Sequence, residues 1–307
     1  MKCAVFAGQG AQTVGMGRDF AVADRDVAFL FEKASKTLGF DIAEICFAGP
    51  IEELTKSNVC QPAIFLVSYA AYMMLQKKSG VEFGCAAGLS LGEWGALTVA
   101  GVVDVEDTLK VLEARGRFMQ EACEAVPSGM IAIVGASAAQ LDELCAKTGC
   151  TVANVNSSAQ VVLSGSKDEI AAAALEAKAL GIKRAIPLAT AGAFHSKFMA
   201  SAREKLAPVL QEIEFKPPRI PVLSNVTGKV HPSDGAAIRE LMLRQVTEPT
   251  NWAADVLAAK ELGADTFVEF GPGKVLSGLV KKIDASLAVF NVADEASLEA
   301  TAEGLKG

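Results

Sequence analysis

Histidine is the scarcest chemical resource of this chain: 307 residues contain two, His195 and His231. Any serine nucleophile that needs an imidazole base therefore has two candidates at most. Positive charge is also in short supply. Lys and Arg total 29 against 36 Asp and Glu, a formal net charge of −7. No basic stretch carries interleaved aromatics, so the sequence has no nucleic-acid footprint. Aromatic residues make up 6% and hydrophobic residues 51%, which calls for an aliphatic, alanine-rich core of the kind α/β proteins have. The cysteines (Cys3, Cys46, Cys60, Cys85, Cys123, Cys145 and Cys150) are odd in number and show no metal or redox spacing. They read as reduced thiols, several of them in the core, and no metal is expected. No run approaches the roughly 18 apolar residues of a membrane helix. The chain starts directly on a strand, Lys2-Cys3-Ala4-Val5-Phe6, with no signal-peptide pattern before it. A soluble intracellular protein is the expectation; a plastid transit peptide removed from the N-terminus stays open as an alternative.

What is present is a G-x-S-x-G pattern, Gly88-Leu89-Ser90-Leu91-Gly92. The apolar run Phe83 to Ala87 before it reads as a buried strand. Leu91 to Ala100 after it reads as a helix with Glu93 in its first turn. A strand turning sharply into a helix exposes the serine hydroxyl above a helix N-terminus, and flanking glycines relieve crowding. Of the two histidines, His231 lies in the polar turn cluster Val230-His231-Pro232-Ser233-Asp234-Gly235 and reads as a solvated loop residue. His195, in the small apolar segment Ala191 to Ser196, is the better general base for Ser90. No acidic residue stands out as a third member, so a dyad oriented by a backbone carbonyl is expected.

The helix predicted over Val105 to Cys123 carries an apolar face of Val105, Leu109, Leu112, Gly116, Met119 and Cys123. Arg115 falls inside that arc, whereas Arg117 falls on the polar side and reads as a solvated charge. A guanidinium on a buried face needs an anion. Two partners are open: a protein carboxylate, or a substrate carboxylate held by the planar fork. An acyl-transfer serine also needs oxyanion donors. The N–H of Leu91, next after the nucleophile, supplies one. The loop Gly8-Gln9-Gly10-Ala11-Gln12 after the first strand is placed to supply another. A nucleotide-phosphate role for that loop is disfavoured, because the third glycine of the fingerprint is missing.

Met130 to Ala189 reads as strand, helix, strand, strand, helix, strand, with the polar turn Asn156-Ser157-Ser158-Ala159 between the two middle strands, a ferredoxin-like βαββαβ unit. Polar turns at Val126-Pro127-Ser128-Gly129 and Thr190-Ala191-Gly192 mark its ends. The expected architecture is a large α/β-hydrolase-like sheet domain, residues 1–126 and 193–307, with this small subdomain inserted at residues 127–192. The flanking parts alternate short strands (Ala4 to Ala7, Phe83 to Ala87, Arg219 to Ser224, Thr266 to Phe270) with helical stretches, so helices are expected on both sheet faces.

In order along the chain these motifs resemble the malonyl-CoA:acyl-carrier-protein transacylase family of acyltransferases. The resemblance runs through Phe6 to Gln12, Gln61-Pro62-Ala63, Gly88 to Glu93, Arg115 to Gln120, Asn154-Val155-Asn156, Gly192 to Ser196, Ser224 to Gly228 and Phe270 to Gly273. It implies Ser90 as the acyl carrier, His195 as its base, and the N–H groups of Gln9 and Leu91 as the oxyanion hole. It implies Arg115 and Gln61 as substrate-binding residues and the Gln245 carbonyl as the group that orients His195. Phe194, before the histidine, accompanies malonyl preference in related modular acyltransferases. Malonyl-CoA and an acyl carrier protein are the implied partners and no cofactor is needed, since the phosphopantetheine belongs to the carrier. A cytoplasmic monomer serving fatty acid synthesis is the further implication. The chain departs from the family at Ala7, where proline is usual, and at Leu89, where many members have histidine. A serine hydrolase or thioesterase on a similar elbow is the alternative; it gives Arg115 no role. A scaffold that has lost catalysis is a further one.

Overall fold

The computed structural model describes residues 1–306. Its strands, in chain order, are β1 (Lys2–Phe6), β2 (Cys85–Gly88), β3 (Ser128–Val134), β4 (Thr151–Ser157), β5 (Gln160–Ser166), β6 (Arg184–Pro187), β7 (Leu223–Ser224), β8 (Lys229–Val230), β9 (Thr266–Phe270) and β10 (Ala288–Val292).

One layer is a four-stranded parallel sheet in the order β10-β9-β1-β2. Successive side chains on a strand point to opposite faces, and β1 is apolar on both. Ala4 and Phe6 join Ala86, Val268 and Phe270 in a core under the helix Ser57–Ser79. Cys3 and Val5 join Cys85, Ala87 and Phe267 in a second core, under the helices Trp252–Glu261 and Val275–Ile283. Helices thus cover both faces, as a central parallel strand requires.

β3 to β6 form a separate antiparallel sheet in the order β4-β5-β3-β6. The helices Ala138–Thr148 and Lys167–Ala179 lie between its strands in sequence, the element order read from the sequence. Alternation again divides the work. Ile131 and Ile133 pack with Leu144, Leu163 and Ala173 into the antiparallel sheet's own core. Met130 and Ala132 pack with Ala153, Val162 and Phe194 on the other face, which lines the cleft that holds Ser90.

Three expectations change. The strand expected over Arg219 to Ser224 shrinks to Leu223–Ser224. Pro221, inside that span, has no N–H to give a ladder, and the Arg219 N–H is spent on the Ala100 carbonyl at 2.9 Å; the Pro221 carbonyl accepts from the Ala86 N–H at 2.9 Å and pairing goes no further than one bridge at Val222. The turn expected over Asn156 to Ala159 narrows to residues 158–159, because β4 runs on to Ser157. One helix, Ser57–Ser79, is also long and apolar enough to cross a membrane. No unbroken apolar run spans it in sequence, because Ser68, Tyr69 and Tyr72 interrupt it. In the fold 72% of its apolar window is buried inside the protein, which makes it the central core helix.

Candidate active site

β2 ends at Gly88 and the helix Gly92–Val99 begins four residues later. Ser90 sits between them at φ 57°, a left-handed conformation that costs a non-glycine residue roughly 1–3 kcal/mol and persists only where its surroundings impose it. Those surroundings are visible. Ser90 N–H donates to Asn225 Oδ1 at 2.7 Å, and Gln245 Nε2 donates to the Ser90 carbonyl at 2.9 Å. The flanking glycines are steric necessities. A Cβ at Gly88 would fall 2.0 Å from the Gly92 carbonyl carbon, and one at Gly92 would fall 2.1 Å from the Phe6 oxygen.

His195 is buried and also left-handed, at φ 54°. Its Nδ1 lies 2.8 Å from the Gln245 carbonyl oxygen and its Nε2 lies 2.9 Å from Ser90 Oγ. A carbonyl only accepts, so Nδ1 carries the proton and Nε2 presents a lone pair to the Ser90 hydroxyl. Burial, and then the nearby Arg115 cation, push the imidazole down to about 4. It is a neutral acceptor at physiological pH.

The helix that carries Arg115 spans Val105–Ala125. Arg115 is 1% exposed, and burial lowers it to about 10, so it stays a cation. It has no carboxylate in hydrogen-bond reach among the described residues. Nη1 donates to Gln61 Oε1 at 2.6 Å; Nη2 donates to Gln245 Oε1 at 3.1 Å and to Ser90 Oγ at 3.2 Å. Its Nε has no partner. Arg117, by contrast, is half-exposed and pairs with Glu113 at 3.2 Å.

Gln9, Ser90, Met119, Asn156, Phe194 and His195 help line a cleft of about 410 Å³ between the two sheets. Among the described residues, the N–H groups of Gln9 and Leu91 meet no acceptor. Gln9 also accepts from Gln61 Nε2 at 3.4 Å, which brings its loop to the guanidinium support. A separate groove of about 500 Å³ around Phe29, Leu30 and Tyr69 holds none of these groups.

The sequence reading singled out Ser90, His195, Arg115, Gln61, Gln245, Gln9, Leu91 and Phe194, and the fold gathers them at one place. It missed a polar network below the elbow. Glu93 and Asp255 are fully buried, Asn225 bridges the Gly88 carbonyl to Asp255, and burial holds the Asp255 carboxyl well above the usual range. His231 is a correction. It is not solvated: its side chain is wholly buried, with Nε2 2.6 Å from Glu93 Oε1. The polar cluster around it is a turn, but the turn leads this side chain inward.

The chain has known relatives along nearly its whole length. The model of the acyl transferase domain family matches residues 4–299. A malonyl CoA-acyl carrier protein transacylase of Escherichia coli (strain K12) is 39% identical over 303 residues, covering 97% of this chain and 98% of that protein. The crystal structure of a malonyl CoA-acyl carrier protein transacylase from Clostridium perfringens superposes with a TM-score of 0.95 at 39% identity, covering 99% and 97% of the two chains. A malonyl-transacylase solved in complex with a type II polyketide acyl-carrier protein superposes at 0.93 with 39% identity, each chain 99% covered.

Proposed function

The chain belongs to the acyl transferase family, among the malonyl CoA-acyl carrier protein transacylases, and from that premise we propose how its own residues move the malonyl group. Ser90 Oγ attacks the thioester carbonyl of malonyl-CoA and gives its proton to His195 Nε2. The oxyanion accepts from the N–H groups of Gln9 and Leu91. The carbon–sulfur bond breaks, and coenzyme A leaves as the thiol, taking the proton from His195 Nε2 and returning the imidazole to its neutral form. The phosphopantetheine thiol of acyl carrier protein then gives a proton to His195 and attacks the Ser90 ester, and Ser90 recovers its proton. The Gln245 carbonyl holds the imidazole tautomer throughout. Phe194 walls the acyl pocket and Gln61 steadies Arg115. We read residues 127–192 as a ferredoxin-like subdomain set into a hydrolase-like sheet domain of residues 1–126 and 193–307. The enzyme works as a cytoplasmic monomer, without metal or cofactor, and feeds fatty acid synthesis.

One observation carries this reading. Arg115 is a buried cation 3.2 Å from Ser90 Oγ whose partners are all neutral. The anion it lacks is the free carboxylate of the malonyl group. Arg115→Ala is therefore expected to weaken malonyl-CoA far more than acetyl-CoA. Loss of a buried charge-assisted pair costs about 2–5 kcal/mol, so the malonyl preference in acylation should fall at least about tenfold. Acylation rates with both thioesters measure it; an unchanged ratio in a folded variant would assign Arg115 to structure alone.

Carrier docking should depend on a local basic rim. The chain carries −7, and acyl carrier proteins as a class are acidic, so the two repel at long range. Lys183, Arg184, Lys197, Lys274, Lys281 and Lys282 are exposed. Lys274 directly precedes Val275, and Lys197 lies two residues after His195; Val275 and His195 both line the cleft. Reversing these charges in pairs should raise KM for the carrier while acylation by malonyl-CoA stays near normal. Carrier kinetics and salt dependence that ignore every reversal would move the docking surface elsewhere.

A further inference from the structure

Three N–H donors converge on one carboxylate beneath the elbow. Glu93 Oε1 takes His231 Nε2 at 2.6 Å; Oε2 takes Gln245 Nε2 at 2.6 Å and the Asn225 N–H at 3.3 Å. The side chains of His231 and Glu93 are 0% and 1% exposed, and neither residue lines the cleft. The two are 138 residues apart in sequence. The His231 loop is anchored by its own N–H, which donates to the Val222 carbonyl at 2.8 Å. Its Nδ1 has no partner among the described residues, so Glu93 is the one polar group that holds the ring.

Gln245 is the residue this carboxylate controls. Its two amide hydrogens go to the Ser90 carbonyl and to Glu93, which leaves Oε1 facing Arg115 Nη2. A primary amide turned by 180° has nearly the same shape but exchanged polarity. Turned so, Gln245 would aim N–H groups at the guanidinium and its oxygen at two acceptors. Glu93 forbids that orientation by accepting from Nε2. His231 in turn pins Oε1, so that Oε2 stays on Gln245.

We propose that His231 and Glu93 form a positioning pair that acts through Gln245 to orient Arg115, and so sets the selectivity of Ser90 for a carboxylated acyl thioester. This rests on the reading of Arg115 as the partner of the malonyl carboxylate. Neither residue touches the acyl group. The Gln245 carbonyl that serves His195 is held separately, at the end of the helix Gly235–Arg244, by the Gln245 N–H donating to the Leu241 carbonyl at 2.9 Å. Selectivity and proton transfer should therefore separate.

The test uses the full chain with malonyl-CoA and acetyl-CoA, and the thermal melt of each variant as the check on folding. His231→Leu should lower the malonyl-to-acetyl ratio of kcat/KM by about ten- to hundredfold, the scale of a lost hydrogen bond to a charged group. Most of the loss should appear as a raised KM for malonyl-CoA, with kcat on acetyl-CoA within about threefold of wild type. His231→Gln places an amide donor where Nε2 stood and should restore the ratio to within about threefold. Glu93→Gln offers one good acceptor to three donors and should lower the ratio as His231→Leu does. A folded His231→Leu variant that keeps the wild-type ratio, or that loses both thioesters equally with no rescue by glutamine, overturns the proposal. Should leucine prevent folding, Glu93→Gln with an unchanged ratio overturns it instead. A wild-type chain that takes no malonyl group at Ser90 overturns the functional reading itself, and with it this role for the pair.

Discussion

With Ser90 changed to alanine, the protein should take up no malonyl group from malonyl-CoA and should still fold. The change removes one oxygen. Alanine meets the same backbone penalty at φ 57° that serine does, and Asn225 and Gln245 still hold the peptide on either side. The lost contacts are those of Oγ with His195 Nε2 and Arg115 Nη2. Arg115 keeps Gln61 and Gln245, so stability should move by no more than about 1–2 kcal/mol. Intact mass after incubation with malonyl-CoA reads the adduct and a thermal melt reads the fold. Peptide mapping that found malonyl on a cysteine such as Cys85 would remove Ser90 from the mechanism.

The second large effect belongs to His195. His195→Ala should cut transfer by roughly 10²–10⁴-fold, the usual contribution of a positioned general base. The pH profile adds a finer test. Burial and the Arg115 cation hold the imidazole down to about 4, so kcat/KM for acylation should stay flat from neutral pH to about 5 and fall only near 4. An Arg115→Ala variant lacks one of the two depressing causes, and its acid limb should shift upward. Stability follows the same linkage. The folded pKa lies below the free value of about 6.5, so the folded protein binds fewer protons than the unfolded chain between the two. Its contribution to stability is present above about 6.5 and is lost as pH falls towards 4. An acid limb near 6.5 in the wild type would contradict the buried, cation-flanked imidazole.

Local patterns were the legible part of the sequence. The elbow is spelled by five adjacent residues, and the crowding that makes Gly88 and Gly92 necessary is intrinsic to the turn. Arg115 could be found because helical period places it on an apolar face, and burial there demands an explanation. Resemblance alone points to Gln245, because its carbonyl is a group every residue has and its side chain joins Ser90 from 155 residues away. His231 was misread for a related reason. Polar turn residues report where the backbone bends and not where one side chain goes, and its partner Glu93 is remote in sequence. The strand past Arg219 shortens on proline chemistry that is visible: Pro221 in its middle has no N–H for a ladder. The helix Ser57–Ser79 shows the opposite error, since a few hydroxyls hid a span apolar enough to form the centre of the core.

The central claim is that a malonyl group rests on Ser90 and leaves it for a carrier thiol. A pulse and chase followed by intact mass tests that directly. The chain is loaded with malonyl-CoA, separated from free thioester, and then mixed with phosphopantetheinylated acyl carrier protein or with buffer alone. The account predicts one malonyl group per chain, mapped to Ser90, stable in buffer and transferred quantitatively to the carrier. Release of free malonate in buffer as fast as transfer to the carrier would make the protein a hydrolase and contradict the account.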